Sequence, residues 1–600
     1  MRRFTDRYVF VFDVDPQRMW RAIADTDALN RDAGLPAVTY RYETRSGTTS
    51  AAVASARVGP VRLEWDEPPF VWEAPRRLAI DRRFRRGPFI ALRTEIAVAP
   101  HEVGTRVQHD VELEADGAGT LLAPLVLWRG ARGAERAYAL AAERARRAPP
   151  VAPLRETIPE VAPASAQRAA SFVEALAVVR PPIARGAEIA ARLASFVEHA
   201  GDAAVARMRP YVLADAWDLP REAVLGAMLA ATRAGLLDLQ WTIVCPSCRG
   251  QKNSVAQLAR IGGAVHCDAC GIAYDGRFDR NVEVTFEAGA SAASAAPVYC
   301  LAGPYSAQQT LAQAPLEPAQ TRAFELMLAP GAYVVQALPD RAARLIVEED
   351  AGAASVEARI DDRGVRLASA VARAGIVRIG AVNAGAASAV VRVTQADLSD
   401  QLATAAHVTA LQSFRDLFSS EILADGIELE IRSLAVLFSD IVGSTSMYAQ
   451  RGDARAFRMV REHFDALHDV VAQRRGAIVK TIGDAVMAVF ADSRDALEAA
   501  LAFNAAVTPL ELRIGIHRGP CIAIRANDRL DYFGSTVNVA SRVAHAAAGG
   551  EVLVTETIAD DPRCAELVAA GERGTLTLRG IAQPVAVVRV DAGARGAVHA

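Results

Sequence analysis

Asp440 and Asp484 each follow an apolar run, and that shared setting is the first sign of chemistry in this 600-residue chain. Leu434-Ala-Val-Leu-Phe-Ser-Asp440-Ile441-Val-Gly443-Ser444-Thr445 reads as a strand that delivers a carboxylate, which can hold a divalent cation, into a turn of small residues. The backbone N–H groups of such a turn can face phosphate oxygens. Ile478-Val-Lys480-Thr-Ile-Gly483-Asp484-Ala-Val-Met-Ala-Val-Phe490 reads as a hairpin with Gly483-Asp484 at its tip. Side by side, the two carboxylates would bridge two magnesium ions, the arrangement used for in-line phosphoryl chemistry. A third stretch, Asp531-Tyr-Phe-Gly534-Ser-Thr-Val-Asn538-Val-Ala-Ser-Arg542, starts as a turn and continues as a helix. Asn538 and Arg542 are one helical turn apart, so they share a face and can reach one transition state. Singly, each residue also has a structural use: Asp484 in a hairpin turn, Asn538 as a cap, Lys480 as a solvated strand charge.

A second constellation is Cys245-Pro-Ser-Cys248 followed by Cys267-Asp-Ala-Cys270. Two C-x2-C knuckles at this separation supply four thiolates for one tetrahedral zinc with no open position, which makes the site structural. The competing use, a redox dithiol pair, leaves the equal spacing of the two pairs unexplained. Paired cysteines of this kind, with no secretory leader or apolar run of membrane-spanning length, predict a cytosolic chain without a transmembrane segment.

These residues need elements to hold them, and length alone predicts several domains. Residues 1–148 run strand, helix from Asp15-Pro16 with Met19, Trp20 and Ile23 on one face, antiparallel strands, then a long Ala- and Arg-rich helix. That order resembles the START-like helix-grip fold, whose members place an apolar ligand between sheet and last helix. A filled core is the other reading, so an apolar or amphipathic ligand is an expectation tied to the resemblance. Prolines at 149, 150, 153, 159 and 163 mark a linker over 149–165. Residues 166–240 read as helical, 241–285 as the zinc ribbon and 286–398 as a small β-sandwich. Apolar spacing at Leu402, Ala406, Leu411, Phe414, Leu417 and Phe418 predicts a helix over Ser399–Leu423 within a 399–430 connection, packed either on its copy or inside the chain.

The segment 431–593 resembles the class III adenylyl and guanylyl cyclases, on the three motifs above together with Arg513-Ile-Gly-Ile-His-Arg518-Gly519 and Leu578-Arg579-Gly580. The resemblance implies a ferredoxin-like βαββαβ core within a multidomain α+β chain, and active sites shared between the two subunits of a head-to-tail homodimer. By matched position it makes Asp440 and Asp484, with the Ile441 carbonyl, the ligands of two Mg2+ or Mn2+ ions per site. Asn538 and Arg542 become the ribose-orienting and charge-stabilising pair, and Arg579 stands where many members carry a phosphate-binding lysine. Lys480 and Asp531 fall on the two purine-selecting positions and match the adenylyl cyclase pair, whereas guanylyl cyclases carry Glu and Cys. Lysine can donate to adenine N1 and aspartate can accept from the N6 amine, while guanine presents the opposite polarity. Pro520 departs from the polar residue many members place after His-x-Gly, leaving Arg518 or Arg579 to make the phosphate contacts.

The expected activity is conversion of ATP to cyclic AMP and pyrophosphate. A catalytically silent nucleotide-binding regulator and a guanylate cyclase are the alternatives. A net charge of -3 on a chain that is 51% hydrophobic and 23% charged gives no basic field for nucleic acid, and Arg221 and Arg233 do not form a basic stripe.

Overall fold

The computed structural model describes the chain outside residues 45–49, 148–157, 159, 201, 246–250, 262–263, 268–271, 276–280, 289–298, 301–302, 305–309, 339–340, 396–401, 419–428, 507–509, 527–528 and 592–600. Strand Arg2–Phe12 leads into helices Pro16–Ala24 and Thr26–Asp32. Asp15 caps the first of these by accepting from the Gln17 and Arg18 N–H groups, and Pro16 fits the first turn because no N–H is needed there. Antiparallel strands follow, then helix Gly117–Arg147. Met19, Trp20 and Ile23 pack with Trp72, Val107 and the helix residues Ala137, Tyr138 and Ala141 in one buried cluster. A charged cleft lies on the opposite, outward face of the sheet, lined by Arg7, Arg93, Glu95, Asp110 and Glu112.

That sheet does not end with the N-terminal unit. Val71–Glu73 pairs with Thr310–Leu316, which pairs with Ala389–Gln395 and so extends the sheet through Gly331–Leu338 and Arg341–Glu348. A separate four-stranded sheet built on Thr321–Leu328 and Gly375–Asn383 shares a core of Phe324, Val335, Leu345, Ile360, Ile379 and Val391 with these strands. Between these units in sequence come helices Ala166–Leu176, Gly186–His199, Pro210–Trp217 and Arg221–Arg233. Strand Asp238–Val244 then forms the centre of a three-stranded sheet with Gln251–Val255 and Val282–Glu287. No helix among the described residues is long and apolar enough to cross a membrane.

The single helix expected over Ser399–Leu423 is not what forms. Its described part carries two short helices, Ala405–Thr409 and Gln412–Leu417, broken at Ala410–Leu411. The physical reason is burial on two sides. Ala403, Val408, Leu411 and Phe414 belong to a cluster that also contains Leu225 and Met228 of the helical unit and Val436, Val479, Met487 and Tyr532 of the C-terminal sheet. The apolar spacing records contacts with two neighbours, which one straight helix cannot make.

From Leu429 the order is strand Leu429–Ile441, helix Asp453–Gln473, strands Gly476–Ile482 and Ala485–Phe490, helix Ser493–Ala506 and strand Leu512–Ala526. This is a βαββαβ succession, with the first and fourth of these strands adjacent at the centre of the sheet. The two long helices cover one face through Leu467, Val471, Leu497, Ala500 and Phe503. Helix Ser535–Ala546 packs on the other face, so closely that a Cβ on Gly515 would sit 2.1 Å from the Ala544 nitrogen. Glycine is required at that approach.

Candidate active site

The register Ser439↔Val486 sets the ends of strands Leu429–Ile441 and Ala485–Phe490 together, so Asp440 and Asp484 emerge at the same edge of neighbouring strands. Gly483, at φ 66°, makes the tight turn that presents Asp484. Arg513 lies directly across from Asp440 in the antiparallel ladder. Its Nε donates to Asp440 Oδ2 at 2.8 Å, and its Nη2 converges on the same oxygen. Asp484 Oδ2 is buried and has no hydrogen-bond partner among the described residues. An orphaned buried carboxylate oxygen is costly, and a divalent cation would satisfy it, so Asp484 fits a metal ligand and Asp440 on the neighbouring strand end would be the second carboxylate. His463 is close enough for the Asp484 charge to act on its ring, yet burial outweighs that charge and holds its pKa near 4, so it is neutral at physiological pH.

Past the strand end, left-handed Gly443 at φ 68° opens helix Ser444–Arg451, which puts the small-residue turn at a helix N-terminus. Ser446 Oγ donates to the Gly443 carbonyl at 2.7 Å and pins the turn. Asn538 and Arg542 lie on helix Ser535–Ala546, both exposed, and neither side chain makes a hydrogen bond or ion pair among the described residues. Arg579 is exposed in a turn. Arg518, by contrast, is unavailable to phosphate: Nε donates to Ser433 Oγ at 2.6 Å, and Nη1 donates to Ser493 Oγ at 2.7 Å and to Asp561 at 2.9 Å. That removes one of the two arginines expected to compensate for Pro520, because Arg518 is consumed in tying the two central strands to Ser493 and Asp561.

Lys480 and Asp531 come from strands distant in sequence, and Lys480 Nζ donates to Asp531 Oδ2 at 2.7 Å. Their side chains are 34% and 12% exposed, so the pair is partly dry yet still reachable. The Lys480 ammonium also lies 5.2 Å from the Phe533 ring centroid. Apolar surface surrounds the pair: Ile482 and Phe533 are 54% and 47% exposed.

Residues 429–588 match the adenylate and guanylate cyclase catalytic domain family. They form a class III cyclase catalytic domain. Upstream of the cyclase domain, residues 173–292 match a family of unknown function, DUF5939. The chain is 36% identical over 141 residues to an adenylate cyclase of Streptomyces coelicolor, a match covering 23% of this chain and 36% of that protein. It is 31% identical over 179 residues to an adenylate cyclase of Anabaena cylindrica, covering 25% of this chain and 36% of that one. The chain therefore spans about a third of the length of these relatives, through the cyclase domain. A crystal structure of an adenylyl cyclase from P. aeruginosa is 23% identical with a TM-score of 0.24, covering 27% of this chain and 95% of that one.

Two residues facing the carboxylates carried no predicted role. Arg513 was visible as a strand charge, but only the register Asp440↔Arg513 gives it a partner. His463 reads as one more polar residue in an amphipathic helix, and nothing local marks it as buried beside Asp484. For the cysteine knuckles, Cys245 and Cys267 are buried in one cluster, whereas Cys248 and Cys270 lie outside the described residues. Among the described residues no three His, Cys, Asp or Glu side chains gather in a metal-sized group.

Proposed function

We propose that this chain is an adenylate cyclase, converting ATP to 3′,5′-cyclic AMP and pyrophosphate. The observation that carries the choice of base is the Lys480–Asp531 pair inside a cyclase domain. An adenine edge replaces their mutual contact with two of its own, N1 accepting from Lys480 and the N6 amine donating to Asp531. Guanine would set donor against donor and acceptor against acceptor.

Asp440, the Ile441 carbonyl and Asp484 are the residues that would hold two magnesium or manganese ions. Such ions supply a lowered pKa at the ribose 3′-hydroxyl and neutralise the triphosphate. The small-residue turn Gly443-Ser444-Thr445 receives phosphate oxygens at its N–H groups, and Arg579 adds a guanidinium. Asn538 orients the ribose, and Arg542 meets the charge that builds on the α-phosphate as the 3′-oxygen attacks in line and the bond to pyrophosphate breaks. Exposed Asn538 and Arg542, with the apolar rim of Ile482 and Phe533, suit a site completed by a second copy, hence a homodimer.

The upstream units are read as regulatory. Residues 1–148 keep the START-like reading on their element order, and the buried cluster of Met19, Trp20, Trp72 and Tyr138 favours a filled core over a held ligand. Cys245, Cys248, Cys267 and Cys270 are proposed to hold one structural zinc, and the chain is read as cytosolic. Purified full-length chain with magnesium or manganese should form cyclic AMP from ATP in clear excess over cyclic GMP from GTP. Absence of either product with both metals would replace this reading with a silent nucleotide-binding regulator, and an excess of cyclic GMP with a guanylate cyclase.

A further inference from the structure

Strands Gly476–Ile482 and Arg529–Phe533 carry Lys480 and Asp531, and each pairs along only one side among the described strands. Sheet pairing therefore fixes neither strand on its outer flank. The ladder also slips between Ile478 and Lys480, and such a bulge re-aims the side chain that follows it. Something else must hold the pair in register, and residues 402–418 reach both strands.

Gln412 Oε1 accepts from the Ile478 N–H at 2.7 Å, two residues before Lys480. Arg415 Nη1 donates to the Leu530 carbonyl at 3.0 Å, one residue before Asp531, and its guanidinium lies 5.4 Å from the Tyr532 ring centroid. Tyr532 in turn donates to Thr409 Oγ1 at 3.3 Å. The two anchors are themselves supported: Gln412 Nε2 donates to Asp416 at 2.8 Å, Asp416 pairs with His468 at 3.1 Å, and Arg415 Nε donates to the Thr409 carbonyl at 3.1 Å. On its other flank the segment rests on the unit matched to the family of unknown function. His407 contacts Glu222 Oε1 at 3.0 Å, Tyr211 donates to the same oxygen at 2.7 Å, and Phe414 meets Trp241 edge-on at 5.8 Å.

We infer that Gln412 and Arg415 are positioning residues for base selection, and that residues 173–292 serve as the platform that holds them. They lie outside the 429–588 match, so base preference in this chain is set partly from beyond its catalytic domain. The inference rests on the reading of Lys480 and Asp531 as the base-selecting pair, and the experiment separates the two. Full-length wild type, Gln412→Ala, Arg415→Ala and Arg415→Lys are compared for kcat/KM with ATP and with GTP. Each alanine variant should lose roughly 10- to 100-fold of the ATP-over-GTP ratio, the scale of a misplacement near 1 Å, and Arg415→Lys should recover part of it. A merely structural loss lowers both rates in parallel and leaves the ratio intact, and that result overturns the inference. If an alanine variant does not fold, the ratio in Arg415→Met and Gln412→Met decides, with an unchanged ratio in both again overturning it. A wild type without ATP preference would instead overturn the reading of the pair itself.

Discussion

Two histidines of the cyclase domain, buried His463 and half-buried His517, give it a pH signature that belongs to single side chains. His463 and His517 are both held near pKa 4, by desolvation, with the Asp484 charge opposing the shift at His463. In the unfolded chain each titrates near 6.5, so on acidification the unfolded state binds protons first. The stability they contribute is therefore complete above pH 6.5 and is lost as pH falls toward 4. The melting temperature of the full chain should decline over that interval, and His463→Leu should make the decline shallower. An identical slope in the variant would mean that folding does not lower the His463 pKa. None of this is legible in sequence, since a helical histidine looks the same facing solvent or Asp484. The placement of Asp440 and Asp484 at the ends of neighbouring strands, and of Asn538 and Arg542 on one helix, is legible in sequence because apolar frames and spacing are local facts. The contacts of Arg513 and Arg518 are not, because their partners are set by sheet register and by Asp561, far along the chain.

The βαββαβ order that the resemblance to class III cyclases implies is the order observed, and strands Leu429–Ile441, Gly476–Ile482 and Ala485–Phe490 stand where the apolar runs and the Gly483-Asp484 turn place them. The 399–423 stretch reads as one helix in sequence because periodicity reports which residues are buried and is silent on how many neighbours bury them. The cysteine knuckles are the element-scale test of metal content. Cys245 follows strand Asp238–Val244, Cys267 closes strand Ala264–Cys267, and both are buried in one cluster. If the two knuckles complete a tetrahedral thiolate site, metal analysis of protein prepared without chelator should find one zinc per chain. Cys245→Ser should release it and lower the melting temperature. Zinc-free protein with reduced thiols and an unaltered melt would remove the site.

Across the whole molecule, the units that composition separates are physically continuous. One sheet runs from the N-terminal strands into the 310–395 strands through Val71–Glu73, and one apolar cluster joins the helical unit to the cyclase sheet through residues 403–414. Prolines predict a linker over 149–165, of which 149–157 and 159 lie outside the described residues, and no local signal says that residue 73 will pair with residue 312. The central claim is a cyclase site assembled from two copies, each contributing what the other lacks: Asp440 and Asp484 from one, Asn538 and Arg542 from the other. The direct measurement is cyclic AMP formation by Asp440→Ala and Arg542→Ala chains, alone and mixed. Each should be inactive alone. On mixing with free exchange, about half the dimers carry one site with both lesions and one with neither, so activity should return to roughly a quarter of wild type by the symmetry of the assembly. Inactivity of the mixture despite demonstrated heterodimers would contradict the account, because each chain would then build its site alone.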